Sequence, residues 1–148
     1  MLRATAKSLG PLADKVVFVG GTTASLLITD PAALSPRITD DVDCIIKTKK
    51  LGEYYQFVEH LQKLGFEPDP DGPICRYRNK SLTLDIMPTD ETILGFSNRW
   101  YAEAAQNSQK VDIGGGFKIR AITAPYFVAT KLDAFWSRGD NDFLASHD

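Results

Sequence analysis

The stretch RITDDVDCII, residues 37–46, sets three aspartates directly before an apolar run. The run VDCII is short and rich in β-branched residues, which is typical of a buried strand. Asp40, Asp41 and Asp43 therefore carry like charges at the start of that strand, where burial without a positive partner is unfavourable. The stretch predicts a central strand whose first residues lie beside a cation.

Apolar strands are predicted on both sides of this one along the chain. KVVFVG, residues 15–20, is a short β-branched run that leads into GGTTASLLI, residues 20–28, which is predicted to be helical. ICRYRN and SLTLDIM, residues 74–79 and 81–87, are predicted to form a hairpin. The central strand thus has several candidate neighbours in one sheet.

Helices and a second hairpin complete the predicted order of elements. The other helical segments, marked by their apolar spacing or their ends, are residues 3–13, 51–65, 98–107 and 124–139. A second hairpin is predicted around the three glycines at 114–116. The order is strand, helix, strand, helix, strand, strand, helix, hairpin, helix. It predicts an α/β (α+β) fold, a mixed sheet flanked by helices, in a single domain over residues 1–148.

The composition is that of an ordinary globular domain and does not indicate a nucleic-acid binder, although it leaves a local basic patch open. The chain is 43% hydrophobic and 24% charged with a net charge of −2, whereas nucleic-acid binders are normally basic. No run is long enough to span a membrane, and the N-terminus lacks a signal-peptide core, so a cytoplasmic location is expected. Cys44 and Cys75 have no metal-site spacing and are interpreted as small buried hydrophobes.

Carboxylates are predicted to gather on one face of the sheet. Side chains alternate along a strand, so Asp41 and Asp43 project from the same face. Asp85 is the only charged residue in SLTLDIM and joins them if residues 81–87 lie beside residues 42–47. Such a cluster needs a cation, and Mg²⁺ prefers oxygen ligands, so a metal site with two ions is expected. Taken alone, Asp-x-Asp is more often a feature of a loop or strand edge.

A glycine pair lies between the first strand and the helix after it. Gly20 and Gly21 allow a sharp turn and let a ligand approach the backbone amides, which favour phosphate at a helix N-terminus. Thr22 and Thr23 add hydroxyl groups. The turn is neither a P-loop nor a GxGxxG motif, and by itself a glycine pair is common in tight turns.

In combination, these motifs resemble the nucleotidyltransferase superfamily of the DNA polymerase β type, and most closely its AbiEii toxin-like group. In that group a GGT turn precedes Arg-x-Thr-x-Asp-x-Asp, and a third aspartate follows on a later strand. The matching residues are Gly20, Gly21, Thr22, Arg37, Thr39, Asp41, Asp43 and Asp85. KLDAFWSR, residues 131–138, matches the later helix motif Lys-x-x-Ala-x-x-x-Arg. The gap between Gly21 and Asp41 is longer than in many members.

The resemblance implies a Mg²⁺-dependent transfer of a nucleoside monophosphate from a nucleoside triphosphate to a hydroxyl acceptor, with release of pyrophosphate. It implies Asp41, Asp43 and Asp85 as catalytic residues and metal ligands. The implied nucleotide-binding residues are Gly20, Gly21, Thr22 and Lys131. The acceptor is a tRNA or other RNA end, a protein or a small molecule. The alternative is a catalytically silent nucleotide-binding or toxin–antitoxin interaction module. The sequence ends soon after the lysine helix, so either a truncated chain or a minimal catalytic core is expected.

The remaining basic residues near these motifs have two interpretations. Arg76 and Arg78 alternate outward on the strand that leads towards Asp85. They are interpreted as surface charges of the hairpin, with contact to phosphate or RNA as the alternative. Lys131, without the resemblance, is expected to face solvent.

Overall fold

The computed structural model describes residues 1–36 and 38–138. Arg37, Gly139 and the side chain of Arg138, which belong to the predicted motifs, lie outside this part. Its helices are α1 (Leu2–Leu9), α2 (Ala24–Leu27), α3 (Leu51–Lys63), α4 (Glu91–Leu94), α5 (Tyr101–Gln106) and α6 (Ala124–Arg138). Its strands are β1 (Val16–Val19), β2 (Asp41–Ile46), β3 (Glu67–Pro68), β4 (Arg76–Asn79), β5 (Leu82–Pro88), β6 (Gln109–Asp112) and β7 (Lys118–Ala121).

All seven strands join one mixed sheet in the order β3-β4-β5-β2-β1-β7-β6. β2 is parallel to β5 and β1 is parallel to β7, while the other pairs are antiparallel. Both predicted hairpins are present, β4 with β5 and β6 with β7. The predicted α/β (α+β) fold with a mixed sheet and flanking helices is confirmed.

The two faces of the sheet are buried by different helices. On one face, even-numbered residues of β2 such as Val42 and Cys44 pack with residues of α1 and α3. On the other face, Ile45 packs in a second cluster with Tyr101 of α5, joined by Tyr126 and Phe127 of α6. Because side chains alternate along β2, Asp41 and Asp43 share the face that α5 and α6 cover.

The helix predicted over residues 20–28 is shorter than expected. The chain forms one 3₁₀ turn, Gly21–Thr23, followed by the four-residue helix α2. Thr23 Oγ1 donates to the carbonyl oxygen of Gly20 at 2.8 Å, a local bond by which threonine favours turns over helix. A helix of four residues has only a weak dipole at its N-terminus. Phosphate binding at this turn would therefore depend on the backbone amides of the turn itself.

Other boundaries also differ from the predictions. The helix expected at 98–107 begins at Tyr101, because the Asn98 side chain accepts a hydrogen bond from the Trp100 amide at 3.0 Å and forms a turn there. β3 and α4 were not predicted, because segments of two and four residues are too short to show a periodic pattern of apolar residues. Within residues 1–36 and 38–138, no helix has the length and apolar character needed to cross a lipid bilayer.

Candidate functional site

One row of paired residues crosses the four central strands. Arg76 on β4 is the Cα partner of Asp85 on β5, Asp85 is the partner of Asp43 on β2, and Asp43 is the partner of Val19 on β1. Asp41 lies two residues before Asp43 and so projects from the same face. The structure therefore brings the three predicted carboxylates together, beside an arginine and the start of the glycine turn.

The glycine turn packs directly against Asp43. Gly20 follows Val19 with φ +70°, a conformation that favours glycine, and a Cβ atom at this position would overlap Oδ2 of Asp43. A Cβ on Gly21 would lie 2.7 Å from Cγ2 of Thr39. The predicted pair of glycines is thus required by close contact with the residues of the Arg-x-Thr-x-Asp-x-Asp motif.

Arg76 forms the electrostatic centre of the cluster. Its Nε donates to Asp85 Oδ1 at 2.8 Å, and its Nη2 donates at 2.8 Å to both Asp85 Oδ2 and Asp41 Oδ2. The side chains of Arg76 and Asp85 are only 24% and 9% exposed, so these charges are shielded from water. Hydrogen bonding to Asp85 raises the pKa of the Arg76 guanidinium above its usual value. The positive charge predicted beside the aspartates is therefore supplied by the chain itself.

A cavity of about 230 Å³ lies over this row. Gly20, Gly21, Asp41, Asp43, Asp85 and Arg76 line it from the sheet side. Lys131 and Thr130 line it from α6. The carbonyl oxygen of Thr130 accepts a hydrogen bond from Asn98 Nδ2 at 3.0 Å, which ties α6 to the segment before α5. The cavity thus contains acidic groups on one wall and a lysine on another.

Thr22 does not line this cavity. It lies on a neighbouring, more open groove of about 1050 Å³, which it shares with Gly21, Thr39 and residues of α1. Its Oγ1 is buried and has no hydrogen-bond partner among the described residues. Of the predicted nucleotide-binding residues, Gly20, Gly21 and Lys131 share the cavity with the carboxylates, and Thr22 does not.

The carboxylates fit a hard divalent cation by their chemistry, because they offer several oxygen ligands on adjacent strands. Within the described residues, no three acidic, histidine or cysteine side chains already form a metal-ligand group. The Arg76 guanidinium, hydrogen-bonded to both Asp41 and Asp85, accounts for their present arrangement. Asp41, Asp43 and Asp85 are the residues that would hold a metal at this site.

The two cysteines carry no reactive thiolate. Both are buried, Cys44 in the core and Cys75 at the edge of the cavity. Burial raises the pKa of Cys44 well above its usual value and raises the pKa of Cys75 to about 12, and the negative charge of Asp85 adds to both shifts. Their interpretation as small buried hydrophobes is confirmed.

Arg76 was misinterpreted from the sequence, because the structure makes it a partner of the aspartates rather than a surface charge. Arg78, by contrast, is 59% exposed and pairs with Asp69, as a hairpin-surface charge would. A signal was available in the register of the hairpin. Pairing of Asn79 with Leu82 across the turn sets Arg76 opposite Asp85 three residues further on.

The comparisons with known proteins do not assign this chain to a family. No protein-family model matches it, and no curated protein matches it either. The nucleotidyltransferase resemblance therefore stays a prediction.

Proposed function

We propose that this protein is a Mg²⁺-dependent nucleotidyltransferase that moves a nucleoside monophosphate from a nucleoside triphosphate to a hydroxyl acceptor and releases pyrophosphate. The observation that carries the proposal is the position of Asp41, Asp43 and Asp85 on one face of the sheet, beside the Gly20–Gly21 turn and across a cavity from Lys131. Acidic and phosphate-binding groups are both needed for this reaction, and here they share one cavity.

The three aspartates have separate roles in the proposed reaction. Asp41 and Asp43 hold the metal and align the triphosphate, while Asp85 holds metal on the acceptor side and helps to activate the attacking hydroxyl. When bound, two Mg²⁺ ions would screen the carboxylates and stabilise the attacking and leaving oxygens of an in-line displacement. Asp85 is buried, so water competes poorly for its carboxylate.

Phosphate binding is assigned to the turn and to α6. Gly21 lines the cavity, and a residue without a side chain leaves its backbone amide open to a phosphate oxygen. Lys131 lines the same cavity and carries a positive charge that suits the β- and γ-phosphates. The cavity of about 230 Å³ is small, which favours the polyphosphate over a large acceptor as its occupant.

The contacts of Arg76 favour a second candidate function, a catalytically silent nucleotide-binding or toxin–antitoxin interaction module. Arg76 holds both carboxylate oxygens of Asp85 and one of Asp41. Contacts of this kind are also found in ion-pair networks that have only a structural role. Under this alternative the network stabilises the fold and no transfer occurs. The two candidates differ in whether label from a nucleotide becomes covalently attached to anything.

The decisive experiment supplies each α-³²P-labelled nucleoside triphosphate, with Mg²⁺, to the full chain. Parallel reactions contain total RNA, cell protein or an aminoglycoside as the acceptor. Covalent labelling of one acceptor class, abolished by EDTA and by Asp43→Asn, is the expected result. Asp14→Asn is the matched control, because Asp14 is exposed and lies outside the cavity.

Two outcomes would count against the enzyme. The first is no labelling of any acceptor by a folded protein that binds a nucleotide, which favours the silent module. The second is equal labelling by the wild type and by Asp43→Asn, which would remove the aspartates from the reaction.

A further inference from the structure

We propose that Arg76 is a tethered counter-cation that fills one of the two cation positions of the site, so that the protein without nucleotide binds one divalent cation rather than two. This inference rests on the proposed function, from which it takes Asp41, Asp43 and Asp85 as metal ligands. It adds Arg76, which the motifs do not contain, and it specifies that one divalent cation binds before the nucleotide and a second binds with it.

The geometry of the guanidinium carries the inference. A single nitrogen, Nη2 of Arg76, lies 2.8 Å from Asp41 Oδ2 and 2.8 Å from Asp85 Oδ2, so it bridges two carboxylates as a cation would. Nε takes the remaining oxygen of Asp85 at 2.8 Å. Both oxygens of Asp85 are thus engaged by Arg76, and a metal can bind Asp85 only when Arg76 yields at least one of them.

The position of Arg76 is built into the sheet. Arg76 is the direct Cα partner of Asp85 on the neighbouring antiparallel strand, and its side chain lies on the same face. Paired hydrogen bonds between a planar guanidinium and a carboxylate are among the stronger polar contacts in proteins. The low exposure of both side chains, 24% and 9%, limits competition from water.

Charge balance points in the same direction. Arg76 supplies one positive charge to the pair of Asp41 and Asp85, and it leaves Oδ1 of Asp41 outside its hydrogen bonds. A single divalent cation can therefore bind through Asp41 and Asp43 while Arg76 keeps both oxygens of Asp85. A second cation is accommodated once a triphosphate arrives, because its anionic oxygens add negative charge and give the guanidinium new partners.

The test counts Mn²⁺ ions bound to the protein without nucleotide, by electron paramagnetic resonance of the free ion. The wild type is expected to bind one ion. Arg76→Met, which keeps an unbranched apolar side chain and removes the charge, is expected to bind two. Arg76→Lys keeps the charge and is expected to bind one. Arg78→Met is the matched control on the same strand and face, and it is expected to bind one, because Arg78 pairs with Asp69.

Stability supplies a readout that does not depend on activity. Without its arginine, Asp41 and Asp85 lose the guanidinium to which both are hydrogen-bonded. In EDTA, the unfolding midpoint of Arg76→Met is therefore expected to fall below that of Arg78→Met, and Mn²⁺ should raise it more than it raises the wild-type midpoint. An Arg76→Met midpoint that Mn²⁺ raises no more than it raises that of Arg78→Met would contradict the proposal.

The remaining outcomes are also decisive. Two ions in the wild type, one ion in a folded Arg76→Met, or no ion in either protein would each overturn the inference. If Arg76→Met does not fold, Arg76→Gln, which also removes the charge, is counted in its place and is expected to bind two ions. Failure of the proposed function is distinguishable, because the ion counts can change from one to two in a protein that transfers no nucleotide. Conversely, an active enzyme that binds two ions at rest would overturn only the role of Arg76.

Discussion

The carboxylate of Asp43 occupies the space that a side chain on Gly20 would need. Asp43 pairs with Val19 on the neighbouring antiparallel strand, and Gly20 directly follows Val19. The first residue of the GGT turn and the last aspartate of Asp-x-Asp are therefore in direct contact. A side chain at position 20 would therefore displace the Asp43 carboxylate.

Replacement of Gly20 by alanine should damage both stability and the site. The new Cβ would overlap Asp43, and Gly20 has φ +70°, so Gly20→Ala is expected to lower the free energy of unfolding by about 2 kcal/mol or more. Gly10→Ala is the control, because Gly10 has φ +52° and open space around it, and it should lose only about 1 kcal/mol. Urea unfolding measures both values. Equal losses would mean that backbone strain alone explains the effect.

Asp85→Asn should separate nucleotide binding from transfer. If Asp85 acts on the acceptor side, a fluorescent nucleotide should still bind, while the transfer rate falls by about 10²-fold or more. The amide also weakens the contact with Arg76, so the unfolding midpoint should be measured on the same samples. Asp14→Asn, at an exposed position, should change neither property. Full transfer by a folded Asp85→Asn would remove Asp85 from the mechanism.

Lys131→Met should weaken the binding of the triphosphate. Loss of a charged hydrogen bond to phosphate is expected to reduce nucleotide affinity by about tenfold or more. Lys118→Met is the control, since Lys118 is exposed on β7 and is not among the residues that line the cavity. The measurement is a nucleotide titration at two salt concentrations. Equal effects of the two variants would indicate a change in net charge rather than a specific contact.

The buried thiols should make the protein less stable at high pH. In the unfolded chain a cysteine has a pKa of about 8.5, whereas burial raises the pKa of Cys75 to about 12 in the folded state. The folded protein therefore keeps a proton that the unfolded chain loses, and stability that is present below pH ~8.5 declines as the pH rises towards the folded pKa. The expected decline is about 1 kcal/mol per pH unit for each buried thiol.

Urea unfolding between pH 7.5 and about 9.0, where few unfolded tyrosines have ionised, measures mainly this effect. Cys75→Ala and Cys44→Ala should each reduce the slope, because each removes one thiol with a raised pKa. A wild-type stability that stays constant over this range would show that the thiols ionise alike in the folded and unfolded states.

The sequence predicted the strands well because their apolar residues are β-branched and bounded by turns. Alternation also placed Asp41 and Asp43 on one face and set Asp85 on the outer face of its own strand. The fold class followed from the order of elements. Prediction succeeded where a property is local to one segment, or where the alternation of side chains along a strand fixes the face of the sheet on which a residue lies.

The second partner of Arg76, Asp41, could not be read from the hairpin. Alternation shows only that Arg76 projects away from the core, and its contact with Asp41 spans 35 positions and two strand pairings. Thr22 shows the same limit, since the turn was recognised but the groove on which Thr22 lies depends on the packing of α1. Contacts between segments depend on sheet register and helix packing, which short patterns do not encode.

Because the cavity combines Gly20, directly after β1, with Lys131 from α6, its groups are contributed by almost the whole length of the described chain. No single hairpin or helix pair contains them, and ordering them requires contacts between distant segments to be in place. Binding of a nucleotide would consequently report global folding, and a proteolytic cut between β2 and β5 should abolish binding as soon as the two fragments separate.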